Sequence, residues 1–358
     1  MPYWSNRSVL VTGGASLIGA HLVKELVDQG ATVRVADDFS SGRRENLAEV
    51  SAEIEVVPGD LKHPDVATAA CQDQEIVLHL AANHGGRGYV DLHQLECATN
   101  FGLDQSVFSA ALAAGAQKVV FASSGCVYPL HLQTDPSEKL YLGEQMVGPP
   151  YEPDGTYGMA KLAGELTLQA LHAEHGIAAA SCRYFTVYGP LGVENHAVMA
   201  MIARAFVGED PFVVWGDGNQ VRNWTYVEDI VRGTLLAAER LDDGSAVNLG
   251  TTERIRVADA VDLVFEYTGH RAAIATRSDL PVGPANRVAD NSRARHLLGW
   301  EPRTSFADGL RRTVDWYVNT KDRAQVRAQL PRLLTERPLP IRAGSVGAAG
   351  LEPATSAL

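Results

Sequence analysis

The chain has 358 residues, enough for one large domain or two ordinary ones. Apolar residues make up 46% and charged residues 21%, a balance that excludes a mostly disordered chain. No apolar run approaches the roughly 18 residues a membrane span needs, and a net charge of −12, from 43 acidic against 31 basic residues, argues against non-specific nucleic-acid binding. Neither a membrane nor a nucleic acid is expected as a partner. The four cysteines, Cys71, Cys97, Cys126 and Cys182, show neither metal-type spacing nor the density of a disulfide scaffold, so no metal is expected. The opening residues MPYWSNRSVLVTGG lack a basic region followed by an apolar stretch and a cleavage site, so no secretion signal is expected and a reducing cytoplasmic compartment is the default.

In chain order, the apolar run Ser8 to Thr12 predicts a first strand that stops at glycines. Residues 19–29 place Leu22, Val23, Leu26 and Val27 at helical spacing, and Gly30 ends that helix. The β-branched run Thr32 to Ala36 predicts a second strand leading into Asp37 and Asp38. Glu53 to Val57, Glu75 to Leu80 and Lys118 to Ala122 predict three more, with an Ala- and Leu-rich helix around 92–114 before the last. A helix from Tyr157 to about His175 and a strand from Ala178 to Phe185 follow. Strands alternating with helices predict an α/β fold with a doubly wound parallel sheet covered on both faces.

After Tyr188-Gly189-Pro190 the elements shorten and Gly, Pro and aromatic residues increase. The expected organisation is therefore a cofactor-type domain over 1–188, with return segments near 225–250 such as Ala246 to Leu249. A smaller mixed α/β substrate domain would occupy 189–335, and a flexible Pro/Gly-rich tail 336–358.

The first strand ends in Thr12-Gly13-Gly14-Ala15-Ser16-Leu17-Ile18-Gly19 and a helix follows at once. Glycines let a backbone turn tightly and approach a pyrophosphate, and the helix N-terminus offers free N–H groups. The context favours a dinucleotide site over an ordinary strand–helix turn. Asp37 closes the second strand about 20 residues later, where a carboxylate holds ribose hydroxyls and repels a 2′-phosphate. NAD is thus favoured over NADP, although Arg43 and Arg44 lie close by. Asp37 also suits a helix cap or turn, and Asp60 suits equally an adenine contact or a plain turn residue.

Tyr157 and Lys161 stand four apart, on one face of a helix. A nearby ammonium lowers a phenol below its usual pKa of about 10, and such a phenol can exchange a hydroxyl proton while a hydride moves to nicotinamide. Alone, the pair also fits a solvated helix face. Ser124, at the end of the fifth strand where ligands bind in such sheets, makes the argument specific, because its hydroxyl can hold the same substrate oxygen.

The turn TGGASLIG, Asp37, Asp60, HLAA (79–82), ASSGCVYP (122–129), YGMAK (157–161) and RYFTVYGP (183–190) occur in one order, followed by WGDGNQVRNWTYVEDI (215–230) and RVADNSRARHLLGW (287–300). This set, covering about residues 7–320, resembles the extended short-chain dehydrogenase/reductase family of nucleotide-sugar enzymes. The resemblance implies a Rossmann domain holding NAD, a C-terminal domain holding a nucleotide-diphosphate sugar, and a homodimer through a four-helix contact of the 92–114 and 157–175 helices. It makes Ser124, Tyr157 and Lys161 the catalytic triad. By position it assigns cofactor contacts to Gly13, Ser16, Leu17, Ile18, Gly19, Asp37, Asp38, Asp60, Leu61, Leu80, Ala81, Ala82, Tyr157, Lys161 and Tyr184. Substrate contacts fall to Gly86, Arg87, Ser124, Gly125, Asn195, Arg222 and Arg287. Guanidinium forks suit phosphate oxygens, though surface ion pairs would explain either of the last two arginines. In this chain Ser16 stands where the family's turn has its central glycine, and its side chain is placed either to crowd a pyrophosphate or to donate to it.

Reactions of the family begin by oxidising the sugar C4 hydroxyl to a ketone. The dehydratase subgroup has Asp-Glu after the triad serine or threonine, and the decarboxylases usually have a Glu at the second position; here Gly125 and Cys126 stand there. Epimerases remain. The stretch 183–206 is similar to sugar-nucleotide 4-epimerases of the uridine class, which puts C4 inversion first. ASSGCVYP and GGRGYV (85–90) are similar to segments of GDP-mannose 3,5-epimerases, in which the matching cysteine works with a lysine. Cys126 matches that cysteine, while the lysine position falls on His196, or on Asn195 with a one-residue slip. Cys126 also suits a small buried hydrophobe, and His196 a loop or substrate hydrogen bond. The substrate expected is a UDP- or GDP-hexose. A non-catalytic NAD binder would require a broken triad, and this one is intact.

Overall fold

The computed structural model describes residues 3–336. The expected tail therefore lies outside the described residues apart from Glu336. Seven strands build one parallel sheet: β1 (Ser8–Thr12), β2 (Thr32–Asp37), β3 (Ile54–Pro58), β4 (Ile76–His79), β5 (Lys118–Ser124), β6 (Ala178–Tyr184) and, after several short strands, Asp243–Leu249, the predicted return segment. From one edge the order is β3, β2, β1, β4, β5, β6 and then Asp243–Leu249. The chain thus runs outward one way from β1, then restarts at β4 and runs the other. Such a reversal opens a crevice at the carboxyl ends of β1 and β4, where open α/β sheets bind ligands.

The middle strands are apolar on both faces because helices cover both. Val9, Leu10, Val11, Ile76, Val77 and Leu78 are all buried, so these strands read as continuous apolar runs rather than alternating ones. One face packs on α1 (Leu17–Asp28) and Val227–Arg240. The other packs on Pro64–Cys71 and on the helices after β4. The first helix starts at Leu17, two residues earlier than the spacing predicts, with Ser16 as its N-cap.

The expected helix over 92–114 is three pieces: α2 (Arg87–Leu92), α3 (Gln94–Ala98) and α4 (Asn100–Ala113). The breaks fall at His93 and Thr99, which carry no proline or glycine to announce them. Thr99 Oγ1 donates to Glu96 O at 2.7 Å, and buried Asn100 ties this corner to Asn83 through both its amide groups. Tertiary contacts therefore override helical propensity here. Next comes α5 (Gly155–His175), which begins two residues before Tyr157 and closes on Gly176 in the left-handed region, φ 72°.

Beyond Tyr184 the strands are short: Val187–Tyr188, Phe212–Trp215, Val221–Arg222, Thr225–Tyr226, Ile255–Arg256, Ile274–Arg277 and Asn286–Arg287 form three small sheets. A separate apolar cluster holds them, built on the helix Ala197–Val207 with Phe212, Trp224, Phe306 and Tyr317. These strands and the ends of β1, β4, β5 and β6 face each other across one cleft.

Candidate active site

The cofactor half of the cleft begins at the glycine turn. Gly13 adopts φ +67°, and a Cβ there would lie 2.9 Å from the Ala81 backbone nitrogen, so only glycine lets β1 and the segment after β4 approach this closely. Ser16 lines the crevice. Its Oγ donates to Gly13 O at 2.6 Å, which folds the hydroxyl back onto the turn. That bond uses the hydroxyl's only proton, so of the two placements open in the sequence it argues against donation to a pyrophosphate. The N–H groups of the first turn, Leu17 to Gly19, are those an α-helix leaves without helical acceptors.

Asp37 braces the same turn. Its Oδ2 accepts from Ala15 N at 2.9 Å and its Oδ1 from Phe39 N at 2.8 Å. A carboxylate has about four acceptor positions, so ribose hydroxyls fit beside these bonds. Asp38 and Asp60 each accept a backbone N–H two residues on, from Ser40 and Lys62. Both line a pocket with Asp37, Leu61, Ala81 and Ala82, so Asp60 is a turn residue that also faces the groove. Arg44 stacks on Phe39 at 4.0 Å, whereas Arg43 lines the cleft. The donor set, cradle and carboxylate fit a dinucleotide.

Leu17, Ile18, Leu80, Ser124, Tyr157, Lys161 and Tyr184 line a larger adjoining cleft of about 410 Å³. Ser124 ends β5 and accepts from Cys126 N at 3.1 Å. Tyr157 occupies the first turn of α5 and packs on Tyr89, Val90 and Cys97. Lys161 is 1% exposed, and its Nζ has no hydrogen-bond partner among the described residues. That Nζ sits 4.5 Å from the Phe121 ring centroid and 5.9 Å from that of Tyr157. A buried donor without an acceptor is costly, and a ribose hydroxyl in the groove would supply one.

The expected lowering of Tyr157 is not what the protein alone shows. Burial dominates and pushes the phenol well up, with Cys126, Asp104 and Cys97 adding to it while Ser124 opposes. Lys161 lies beside the ring, and burial holds it below the usual lysine range against the pull of Asp104 and Glu165.

The other half of the cleft holds a cluster of guanidinium groups. Arg287 is buried, not a surface ion-pair residue: it donates to Gln133 Oε1 at 2.7 Å, Asp154 Oδ2 at 2.9 Å and Cys126 Sγ at 3.2 Å. Arg87 donates to the same Asp154 oxygen at 2.7 Å and to Asp91. Arg222 donates to the carbonyls of Val221 and Val282, at 2.9 and 2.8 Å. Burial, then Arg287 and Arg87, push its guanidinium down to about 9. Burial alone would raise Asp154, but Arg287 and Arg87 hold it below the usual range. Three arginines against two carboxylates leave an uncompensated cation, which a phosphate group would match.

Cys126 is partly exposed and lines the cleft, so it is not simply a packed hydrophobe. His196 lines the cleft too. Burial pushes its imidazole down to about 4, which makes it neutral at pH 7. Asn195 and His196 pack against Gly86, where a Cβ would fall 1.7 Å from Asn195 O. Only glycine permits that approach. Asn195 also donates to Glu336 O at 3.4 Å. A Cβ on Gly125 would lie 3.2 Å from the Phe185 ring.

Three lining or supporting residues escaped the sequence reading. His84 places its ring 5.6 Å from that of His196, Trp215 lines the cleft, and Asp154 joins two arginines. His84 stands two residues after HLAA and Asp154 three residues before Tyr157, positions that mark them only once the cleft is known.

A Rossmann-like parallel sheet with a hydroxyl, phenol and ammonium at its cleft defines a class of dinucleotide-dependent enzymes acting on alcohols and ketones. The model of the NAD dependent epimerase/dehydratase family matches residues 9–250. The chain belongs to that family, within the extended short-chain dehydrogenases/reductases. It is 27% identical over 321 residues to GDP-mannose 3,5-epimerase 1 of Oryza sativa subsp. indica, covering 88% of this chain and 83% of that protein. It is 31% identical to the UDP-glucose 4-epimerase of Mycolicibacterium smegmatis, covering 87% and 98% of the two chains. The structure of the UDP-glucose 4-epimerase of Thermus thermophilus in complex with NAD superposes with a TM-score of 0.77 at 27% identity, over 87% of this chain and 99% of that one.

Because the Ser16 hydroxyl is satisfied within the turn, Ser16→Gly is expected to leave the NAD⁺ dissociation constant within about threefold, a change below 1 kcal/mol. Calorimetric titration checks this. Tightening by more than about tenfold would mean that the side chain crowds the pyrophosphate.

Proposed function

We propose that this protein is an NAD-dependent nucleotide-sugar epimerase working through a transient 4-keto sugar. The observation that carries this reading is the convergence of Ser124, Tyr157 and buried Lys161 on one wall of a cleft whose other wall holds Arg87, Arg222 and Arg287. NAD⁺, held by the glycine turn and Asp37, would supply the hydride acceptor and donor for C4. Ser124 holds O4. Tyr157 Oη receives the O4 proton and gives it back when the ketone is reduced. Lys161 supplies the positive charge that favours the phenolate. The arginines hold the diphosphate, so the hexose is free to turn and present its other face. This sequence inverts C4 and needs no further acid or base.

A second reading, inversion at C3 or C5, is favoured by one specific observation: Cys126 and neutral His196 line the same cleft as the triad. A C4 ketone acidifies the C–H bonds beside it. One of the two groups can take a proton from such a carbon while the other delivers one to the opposite face. The Arg287 N–H donates to Cys126 Sγ at 3.2 Å. Turnover of a panel of UDP- and GDP-hexoses, followed by NMR in D₂O, tests both. C4 inversion leaves ring carbons unlabelled, and C3/C5 inversion introduces deuterium. Tyr157→Phe is expected to cost about 10²- to 10⁴-fold in rate. No isomer from any sugar with NAD bound, or full activity of the Phe variant, would overturn the proposal.

The proposal includes a homodimer through α2 to α5. These helices expose Leu92 (63%), Leu95 (81%), Phe101, Met159 and Leu166, an apolar set of the kind that marks an interface. Sedimentation is expected to give a dimer that Leu95→Glu weakens. A wild-type monomer at micromolar concentration would contradict it.

A further inference from the structure

Behind the triad lies a buried chain of polar groups. Thr12 Oγ1 accepts from Leu80 N and Ala81 N, both at 3.0 Å, and meets His79 Nδ1 at 2.8 Å. His79 Nε2 meets Asp104 Oδ1 at 3.0 Å. Neutral His79 satisfies both contacts if Nδ1 accepts from the threonine and Nε2–H donates to the carboxylate, and burial keeps its pKa low. Asp104 is 3% exposed, and its second oxygen, Oδ2, has no hydrogen-bond partner. That oxygen lies toward α5, 3.2 Å from where a Cβ on Gly164 would sit. Gly164 is three residues past Lys161 on the same helix, and Lys161 Nζ is likewise buried without a hydrogen-bond partner among the described residues. Phe121 floors both, touched by the His79 ring at 5.8 Å and by Lys161 Nζ at 4.5 Å.

The groups that face Lys161 are few. On its own helix are Tyr157 and Glu165, from α4 comes Asp104, from β4 neutral His79, and from β5 the Phe121 ring. Glu165 is already neutralised: Arg183 donates to both of its oxygens, at 2.9 and 2.7 Å, and Ser123 donates to one. Asp104, with one oxygen uncommitted, is the remaining compensating charge.

We propose that Asp104, aimed by His79 and Thr12, is the counter-charge that keeps Lys161 an ammonium, and is thereby a positioning residue for proton transfer at Tyr157. The inference builds on the epimerase reading, but the electrostatic pull of Asp104 on Lys161 is present in the protein without cofactor. It gives His79 and Thr12 a role in the chemistry as well as in packing: they hold a carboxylate where a buried cation needs it. The same Thr12 hydroxyl anchors the Leu80–Ala81 backbone of the cofactor groove, so groove and catalytic cation share one support.

The test is NMR titration of protein labelled with [13Cε]lysine. The chain has six lysines, so the Lys161 signal is assignable by its loss in Lys161→Arg. In wild-type, cofactor-free protein Lys161 is expected to stay charged to about pH 8 or higher, whereas lysines buried without compensation titrate near 5–6. A wild-type midpoint below about 6.5 overturns the proposal without any variant. In Asp104→Asn, or in Asp104→Thr if the first misfolds, the midpoint is expected to fall by about one pH unit or more. The alkaline limb of kcat/KM should move down with it, because removing a neighbouring negative charge makes the ammonium easier to deprotonate. Asp104→Glu is expected to restore both. Lys161 titrating alike in wild type and a folded neutral variant would also overturn the proposal. A shifted Lys161 in a protein that turns over no nucleotide sugar would keep the charge pairing and reject the epimerase reading.

Discussion

An ammonium buried to 1% exposure with no hydrogen bond to its nitrogen is the constraint around which this molecule is arranged. Removing such a charge from water costs several kcal/mol after relaxation, so a fold that keeps Lys161 there must surround it with compensation. The Phe121 face, Asp104, the Glu165–Arg183 pair and the Tyr157 ring are that surround. Three of them come from β5 or α5, the elements that also carry Ser124 and Tyr157. The placement of the cation and of the reacting groups is therefore one structural problem with one solution.

The reversal of strand order supplies the rest. Because β1 and β4 diverge in their connections, the glycine turn, the Leu80–Ala82 segment, Ser124 and Tyr184 all emerge at the same edge. The short strands beyond Tyr184 bring Arg222 and Arg287 to face them. Each half of the cleft thereby has a distinct electrostatic character. Asp37, Asp38 and Asp60 make the groove by the glycine turn acidic, suited to hydroxyls and unsuited to a third phosphate. The opposite half is cationic, with Arg222 depressed by burial and by its neighbouring guanidiniums, suited to a diphosphate. A ligand with adenosine at one end and a second with a diphosphate at the other would meet with their reactive parts near Tyr157.

Much of this was legible in the residues, for physical reasons. Strands buried on both faces must be apolar throughout, so Ser8–Thr12 and Lys118–Ser124 announced themselves. The glycine turn and the four-residue spacing of Tyr157 and Lys161 are local features, and local geometry is what a sequence encodes most directly. What escaped depends on contacts between distant residues. Asp154 acquires its role by meeting Arg287, 133 residues away, and Asp104 looks like any polar residue of an Ala-rich helix until His79 is seen beside it. The break at Thr99 likewise sits beside the Asn83–Asn100 contact, with no breaker in the segment. Burial, invisible in a spacing rule, raises the Tyr157 phenol in the protein alone.

The central claim is that Lys161 and the cleft prepare Tyr157 to give up its proton once the oxidised cofactor is in place. Ultraviolet difference titration near 295 nm, wild type minus Tyr157→Phe and both saturated with NAD⁺, reads that phenol directly. The account expects one tyrosine ionising at least about one unit below the ordinary value near 10. A difference spectrum that shows the phenol ionising only at or above that value would contradict it.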